Sequence, residues 1–495
     1  MLLVDLLPGS LHMRNSHFAL RSYLYIIFHE VVDQPASWLF AYEKVFYAAR
    51  LFLGLLSVIS DATLVIAVSR MYGKHLAFYA LAMLCLASGC FFASTSFMPS
   101  LFSMYSMSLS SGLFLLDKPA QAVAVAAVGV ILGWPFSILA FLPVTLFSLS
   151  KQFKQAFLYG TVTSIALLAL PILVDYYYYQ RWTSSVFNLL MYNVLGGGEN
   201  HLYGTPLFYL RNGFNNFNFC FIFALLFLAI LPIVRKKYAP DLLIVVSPLY
   251  IWLTLMSLQL HKEESADSII QCSLLFVLLL QQSSRAYLIL SETNSPYDKS
   301  TIVVIAKVLR PGALCLILCA SHARTFSLIN GYAASFKVYK ILDHYDDAGT
   351  DSSGSVLCVG SEWHRFPSSF FVPDYVGEVR WINDGFQGLL PFPFNATPGG
   401  TSAAPPYFNN KNKASYEQYL EDLQACSFLV ELQLDRPYHH RGNDLSTWAP
   451  AVAALPYLDR ELSPAKYRSF FIPYLWEHKN VFGLYKLLKR ISKPK

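Results

Sequence analysis

Long apolar runs alternate with short polar segments between residues 45 and 320 of this chain. Most of the runs approach about 20 residues, the length at which a helix crosses a bilayer. The pattern therefore predicts an α-helical polytopic membrane protein. The apolar runs lie at 45–69, 76–97, 100–116, 119–147, 155–174, 215–234, 242–260, 268–281 and 300–320.

The run 119–147 is too long for a single spanning helix. Gly133-Trp134-Pro135 interrupts it, and a proline inside a helix removes a hydrogen bond and clashes with the preceding turn. We therefore predict two shorter helices that meet at these three residues.

Loop charge sets the predicted orientation, because Lys and Arg collect in cytosolic loops. The basic loops contain Arg70 with Lys74, Lys151 with Lys154, and the triplet 235–237. Placing all three in the cytosol puts the alternate loops on the opposite side of the membrane. These non-cytosolic segments are 94–99, 133–136, 176–214, 261–267 and everything after 320.

The predicted loop 176–214 is rich in aromatic and amide side chains. Tyr and Trp commonly form a belt at the membrane surface. Aromatic faces also stack on sugar rings, and Asn side chains hydrogen-bond hydroxyl groups. The composition is therefore compatible with an interfacial belt and with a surface for carbohydrate or polyprenyl phosphate.

No spanning run follows residue 320, where strand-like pieces such as SVLCVG and FLVELQL alternate with Pro- and Gly-rich turns. This pattern predicts a small luminal α/β domain, and Asn395-Ala396-Thr397 is a glycosylation sequon within it. The predicted domains are a luminal or interfacial N-terminal segment, 1–44, a transmembrane domain, 45–320, and a luminal domain, 321–495.

Composition agrees with the membrane assignment, since 55% of the residues are hydrophobic and 14% are charged, against about 25% charged in soluble domains. The net charge of +6 is spread along the chain, so a nucleic-acid partner has no support. Asp5, Pro8 and Gly9 interrupt the first apolar stretch, which is not typical of a signal peptide.

Eight cysteines are scattered along the chain, and none has metal-ligand spacing with a nearby histidine. We therefore predict no metal site and expect most of these thiols to be small buried apolar groups. Only Cys358 and Cys426 lie in the polar C-terminal third. They can form a disulfide if that region faces an oxidising lumen.

The cluster His261-Lys262-Glu263-Glu264 follows the apolar run 242–260 directly. Ionisable groups at a membrane border either mark the end of a span in solvent or contact a partner or substrate. The predicted topology places this cluster on the non-cytosolic side.

Several motifs occur in an order that resembles the endoplasmic-reticulum mannosyltransferases of glycosyltransferase family 22, which have the GT-C membrane fold. Within that family the chain is most similar to the α-1,2-mannosyltransferases of asparagine-linked glycosylation, in their plant form. The similarity runs from about residue 18 to the C-terminus. The matching motifs are ALRSYLY (19–25), SGCFFASTSFMPS (88–100), GVILGWPFSILAFLPV (129–144), DYYYYQRWTSSVFNLLMYNV (175–194), YGT (203–205), NGFNNFNF (212–219), SPLYIW (247–252), HKEE (261–264) and SEWHRFPSSFFVP (361–373).

The resemblance implies a GT-C transmembrane bundle in the endoplasmic-reticulum membrane, surrounded by membrane lipid. It also implies an inverting transfer of mannose from dolichyl-phosphate mannose to a mannose hydroxyl of the dolichol-linked oligosaccharide that precedes N-glycans. No cofactor beyond that donor is expected.

The resemblance makes Arg21, His261 and Lys262 candidates for the donor phosphate, which needs cationic donors at the luminal border. For Arg21 and Lys262 the alternative is an anchor at the membrane surface. Glu263 and Glu264 either order their loop, contact acceptor hydroxyls or face solvent.

Three further residues lie in matching motifs and are predicted to contact donor or acceptor. They are Asn193, Tyr203 and Gly204.

The resemblance implies that the family's catalytic base belongs to an acidic pair in a first luminal loop, which follows a first span. Residues 1–17 of this chain match neither that span nor that loop. Asp5, Glu30 and Asp33 are nearby acids outside the motif, so we assign the base to none of them. The chain also departs from the family after Glu264 and after Thr205. We therefore expect weak or no turnover, and a luminal loop at 18–44 without an anchor.

Two alternatives remain open at this stage. A glycosylphosphatidylinositol-anchor mannosyltransferase shares the HKEE motif and the fold, and differs in its acceptor. A non-catalytic membrane protein that binds the lipid donor would keep the binding residues without the transfer.

Overall fold

A computed structural model describes most of the chain, with gaps. The described residues are 21–40, 42–194, 207–230, 250–251, 253–254, 257, 299–342, 354–360, 364–383, 416–435 and 441–491. The helices are α1 (Tyr23–Leu39), α2 (Tyr42–Tyr72), α3 (Lys74–Leu86), α4 (Ser88–Ala93), α5 (Pro99–Leu115), α6 (Pro119–Val128), α7 (Ile138–Lys151), α8 (Phe153–Tyr179), α9 (Ser185–Val194), α10 (Phe208–Ile230), α11 (Lys299–Tyr332), α12 (Ala334–Lys340), α13 (Ala465–Arg468) and α14 (Leu475–Lys479).

Three helical segments within the described residues are long and apolar enough to cross a membrane, namely Lys44–Met71, Phe153–Tyr179 and Leu314–Tyr332. The first two match the apolar runs predicted at 45–69 and 155–174. The third overlaps the run predicted at 300–320 only over residues 314–320 and continues to Tyr332, which differs from the predicted end at 320. The run 76–97 differs from the prediction, because Ala87 is extended and divides it into α3 and α4. The runs 242–260 and 268–281 lie largely outside the described residues.

The predicted break at Gly133-Trp134-Pro135 is confirmed. α6 ends in a π-helical turn at Gly129–Gly133, Trp134 is extended, and a short 3₁₀ turn leads into α7. Ser103 of α5 stabilises the break, because its Oγ donates to the Gly129 carbonyl at 2.6 Å and accepts from the Trp134 N–H at 2.7 Å. A Cβ on Gly133 would lie 2.4 Å from that Oγ, so this close approach needs glycine.

The segment predicted as a long loop at 176–214 is helical over much of its described length. α8 continues through Tyr179, α9 covers Ser185–Val194, and α10 begins at Phe208. The sequence suggested a loop because this segment lies between the apolar runs 155–174 and 215–234, but a segment outside the apolar runs can still be helical.

The C-terminal third contains a five-stranded sheet in the order β2-β1-β3-β5-β4. β1 is parallel to β2 and β3, whereas β5 is antiparallel to β3 and β4. The strand predictions at SVLCVG and FLVELQL are confirmed as β1 and β3. The strands are β1 (Ser355–Val359), β2 (Val376–Trp381), β3 (Phe428–Gln433), β4 (Ala453–Leu458) and β5 (Phe482–Lys489).

Cys358 of β1 and Cys426, just before β3, form the disulfide that the sequence allowed. Both residues are fully buried beneath the sheet with Leu429 and Trp448. The crosslink therefore joins two neighbouring parallel strands that are distant in sequence.

The chain divides into two compact units. One, the sheet unit, comprises the described residues of Met1–Ala48, Asp175–Thr183 and Thr325–Lys495, and the other those of Ala49–Val174 and Ser184–Arg324. The core of the sheet unit combines β-strand side chains with α12 and with the start of α2, where Phe46 meets Phe371 at 4.9 Å between ring centroids. The described part of the N-terminal segment, from residue 21 onwards, thus belongs to the sheet unit.

Candidate functional site

The segment around Arg21 is anchored by Asp175, a fully buried carboxylate near the end of α8. Its Oδ1 accepts hydrogen bonds from the Ser22 hydroxyl at 2.9 Å and from the Tyr23 N–H at 2.8 Å. Ser22 is also the N-cap of α1, because its Oγ accepts from the Leu24 N–H at 3.1 Å. The expectation of an unanchored loop at 18–44 is therefore wrong.

Elementary electrostatics explains this anchor. The first amides of a helix have no intrahelical acceptor, and they give the N-terminus a positive partial charge. A buried carboxylate in turn needs donors, because desolvation without hydrogen bonds is costly. The Asp175 carboxylate therefore accepts the hydrogen bonds that the start of α1 has to donate, and it gains the donors that its burial requires.

Aromatic rings surround the same anchor. The Tyr23 ring stacks on Tyr178 with centroids 4.4 Å apart and meets the edge of Tyr179 at 5.2 Å. Tyr179 is buried, whereas Tyr177 and Trp182 are exposed. The tyrosine run thus has two roles, since some rings pack against α1 and others remain available at the surface.

Arg21 is half-buried and lies one residue before the N-cap of α1. Because Ser22 and Tyr23 are fixed on Asp175, the backbone that carries Arg21 is fixed as well. A guanidinium presents five donors in a planar fork, which suits the oxygens of a phosphate group. The arrangement can therefore present a positioned cation to an anionic ligand.

A second feature of α1 is a buried stripe with two ionisable groups, His29 and Asp33. The His29 Nδ1 lies 2.7 Å from the Tyr25 carbonyl, which assigns the proton to this nitrogen. Both Asp33 oxygens are buried and have no hydrogen-bond partner within the part of the chain that the structure describes. Ten residues separate Asp33 from Tyr23, or about 15 Å of helix, so Asp33 is not a neighbour of Arg21 along α1.

Burial shifts the pKa values of His29 and Asp33 in opposite directions. Both residues lie in α1, which is not one of the helical segments that could cross a membrane. Desolvation lowers the pKa of His29 to about 4. Desolvation, with a smaller contribution from the charge of Glu30, raises the pKa of Asp33 to about 7. Both groups therefore favour their neutral forms in the folded protein.

Most of the other predicted site residues lie outside the described residues, as does the sequon residue Asn395. The backbone of Asn193 lies in α9, but its side chain is outside the description. The residues outside are Tyr203, Gly204, His261, Lys262, Glu263 and Glu264.

Arg21 directly precedes Ser22 and Tyr23, which both donate hydrogen bonds to Asp175, and the role of Asp175 was not predicted. The sequence held a signal for it, since an acid directly after the apolar run 155–174 needs a partner. Within the described residues, no group of three or more His, Cys, Asp or Glu side chains could hold a metal ion.

Replacing Asp175 by alanine is expected to destabilise the sheet unit by about 1–3 kcal/mol, because the buried Tyr23 N–H and the partly buried Ser22 hydroxyl lose their acceptor. Asp175→Asn keeps an acceptor oxygen and should lose less. Thermal unfolding in detergent measures the change. Asp435→Ala, which removes an exposed carboxylate from the same unit, should leave the midpoint unchanged, and an equal effect of Asp435→Ala and Asp175→Ala would contradict the anchor.

His29 and Asp33 should give opposite pH dependences of stability. A raised carboxyl pKa means that the native state holds a proton the unfolded state releases, so the Asp33 contribution falls as pH rises from about 4 to 7. A lowered histidine pKa has the opposite sign, so the His29 contribution rises between about 4 and 6.5. Over the shared range the two contributions offset each other.

Each single substitution should therefore reveal the pH dependence of stability that the remaining group contributes. Asp33→Asn should make stability rise with pH, and His29→Gln should make it fall, each by at most about 1.4 kcal/mol per pH unit. Hydrogen exchange of the α1 amides at several pH values gives the free energy of opening of this helix, and its change with pH gives both slopes. The exposed Gln34→Ala on the same helix should keep the wild-type profile, and parallel slopes for the two test variants would refute this account.

Comparison with known proteins identifies the family. Residues 15–373 match the model of the Alg9-like mannosyltransferase family. The chain is 64% identical over 495 residues to the Arabidopsis thaliana alpha-1,2-mannosyltransferase ALG9, covering 97% of this chain and 84% of that protein. It is 31% identical to the mouse (Mus musculus) protein of the same name, covering 96% of this chain and 81% of that one.

One solved structure, ArnT from Cupriavidus metallidurans in the apo state, covers 69% of this chain and 72% of its own, with a TM-score of 0.37 and 13% identity. A likeness of that size does not bear on the fold. The sequence matches do bear on ancestry, since the family model extends over most of the chain and the plant relative over nearly all of it. The chain therefore belongs to the Alg9-like mannosyltransferase family.

Proposed function

We propose that this protein transfers mannose from dolichyl-phosphate mannose to the dolichol-linked oligosaccharide precursor of N-glycans, forming an α-1,2 linkage. The observation that carries the proposal is the 64% identity to a plant relative named as an alpha-1,2-mannosyltransferase, which extends over 97% of this chain. The apolar helices supply the membrane setting that a polyprenyl-linked donor requires. We infer a GT-C bundle for these helices.

The proposed reaction is a single inverting displacement. A mannose hydroxyl of the acceptor attacks the anomeric carbon of the donor, the bond from that carbon to the phosphate oxygen breaks, and dolichyl phosphate leaves with the bonding electrons. A carboxylate takes the hydroxyl proton as the new bond forms. We assign this base to no residue of the chain.

Phosphate stabilisation is the step to which the described residues contribute. The leaving phosphate gains negative charge, so donors fixed in place before the reaction lower the barrier most effectively. Arg21 meets this requirement, because the hydrogen bonds of Ser22 and Tyr23 to Asp175 hold its backbone. His261 and Lys262 are proposed to complete the phosphate site, and Glu263 and Glu264 to face the acceptor.

Asn193, Tyr203 and Gly204 are proposed to contact donor or acceptor. The exposed rings of Tyr177 and Trp182 lie in the same stretch of chain as α9. They support the carbohydrate or polyprenyl-phosphate reading of this segment, because an exposed aromatic face can stack on a sugar ring. Trp182 stacks on Tyr176 at 4.4 Å and still leaves most of its surface exposed, whereas Tyr23 stacks on Tyr178 and meets the edge of Tyr179.

The sheet unit is proposed to lie in the lumen of the endoplasmic reticulum. Disulfides persist in oxidising compartments and are rare in the cytosol, and the buried Cys358–Cys426 bridge supports a luminal location. The distribution of basic loops leads independently to the same side. The sequon at Asn395 would then be accessible for glycosylation.

Arg21→Ala should weaken donor binding by roughly 10- to 100-fold, the equivalent of about 1.5–3 kcal/mol for a charge-assisted hydrogen bond. Arg21→Lys should retain part of the affinity, because it keeps the charge but not the planar fork. Binding of dolichyl-phosphate mannose and transfer to the truncated lipid-linked oligosaccharide are measured in membranes carrying the full chain. Arg70→Ala, which removes an exposed arginine from the last turn of α2 on the predicted cytosolic side, is the matched control.

The same assay tests the function itself. Transfer above the level of membranes that lack the chain, with an α-1,2 linkage in the product, is the expected result. Donor binding without transfer would indicate the non-catalytic alternative. Transfer to a glycosylphosphatidylinositol intermediate instead would indicate the other acceptor class. Absence of both donor binding and transfer would refute the proposal.

The luminal location predicts that Cys358 and Cys426 resist alkylation in intact membranes until a reductant and a denaturant are added. Asn395→Gln should abolish any shift in gel mobility caused by endoglycosidase treatment. Rapid alkylation of both cysteines without reductant would place the sheet unit in a reducing compartment.

A further inference from the structure

The last turns of α11 pack against the segment 468–482 within the sheet unit. The Ser327 hydroxyl donates to the Arg468 carbonyl and accepts from the Trp476 indole N–H, the latter at 3.2 Å. The rings of Phe326 and Phe471 lie 6.2 Å apart. This segment is therefore held directly against α11.

Four large apolar side chains are exposed at this junction, Phe326 and Ile329 on α11 and Ile472 and Tyr474 on the facing segment. We call them the junction patch. Scattered exposed apolar residues are ordinary, but here two belong to the helical segment Leu314–Tyr332, which is long and apolar enough to cross a membrane. The patch is thus continuous with a surface that lipid would cover.

Tyr474 is held in a conformation that costs energy. Its φ of 66° and ψ of −49° are those of a classic γ-turn, which is rare and strained for a residue with a side chain. Local hydrogen bonds maintain the turn, since the Trp476 N–H donates to the Ile472 carbonyl at 2.9 Å and the Leu475 N–H to the Pro473 carbonyl at 2.7 Å. The turn projects Tyr474 outward, where 78% of the residue is exposed.

We propose that the turn at 472–474 inserts into the interfacial layer of the bilayer and seats the sheet unit on the membrane surface. The partner is a phospholipid bilayer. Tyrosine suits that layer, because its ring is apolar and its hydroxyl can remain hydrated. The exposed Lys466 and Lys479 flank the turn, and their long stems can place ammonium groups near lipid phosphates.

The sheet also supplies a control position, an exposed residue far from the turn at 472–474. Leu458 and Phe482 pair at the end of the β4–β5 ladder nearest the turn, where Phe482 meets Trp476 at 5.3 Å. Trp448 and Arg490 bridge at the other end, and the eight residue-to-residue steps from 482 to 490 extend about 26 Å. Leu445 lies beyond that far end and is 75% exposed. It matches Tyr474 in exposure but should remain in water.

A photo-crosslinking residue tests the proposal. Benzoylphenylalanine replaces Tyr474 in one sample and Leu445 in another, in the full chain reconstituted into phosphatidylcholine vesicles, and mass spectrometry measures lipid adducts after irradiation. A several-fold excess of lipid adduct at 474 over 445 is expected. Equal yields at the two positions, or adducts of 474 with protein rather than lipid, would overturn the proposal.

A second labelled position guards against misfolding at the strained turn. Benzoylphenylalanine at Ile472 leaves Tyr474 unchanged and should also give lipid adducts in excess of position 445. Retention of the Cys358–Cys426 disulfide, checked in each sample, establishes that the sheet unit has folded. A folded protein without excess lipid adduct at either position would refute membrane seating, whatever its transferase activity.

Discussion

The hydrogen bonds of Asp175 to the start of α1 are the constraint on which the site depends. A fully buried carboxylate is tolerated only when donors surround it, and here the donors are Ser22 and the first amide of the helix. The bonds join residues that are far apart in sequence, so the N-terminal segment and the end of α8 hold each other in one unit. Without them, Arg21 would lie on a chain with many conformations, and a phosphate would have to supply the free energy for its ordering.

The aromatic rings beside Asp175 extend the same constraint. Tyr23 stacks on Tyr178 and meets Tyr179, and Asp175 itself is fully buried. A hydrogen bond to a buried carboxylate is stronger than one in water because the local dielectric is low. Burial of the anchor therefore holds the backbone beside Arg21 more firmly than a solvent-exposed contact would.

Much of the fold could be predicted from apolar periodicity and charge. The runs at 45–69 and 155–174, the break at Gly133-Trp134-Pro135 and strands β1 and β3 all appear in the structure. These features are local, so a short window of sequence contains their cause. Asp175 and Ser22 could not be paired in this way, because their contact depends on tertiary folding. The helix at Tyr23–Leu39 was missed for the same reason, since its acids and Pro35 obscure the pattern that its N-cap and anchor override.

The packing of Phe46 against Phe371 has a consequence for biosynthesis. Chains emerge from the ribosome N-terminus first, and early segments usually fold before later ones are made. Here the first residues of α2 contribute to a core whose last strand, β5, ends at Lys489. That core cannot close until almost the entire chain has been synthesised. The helices between α2 and the sheet must therefore enter the membrane before the start of α2 has packed against the sheet. Val45 and Phe46 stay exposed to chaperones or to aggregation throughout translation.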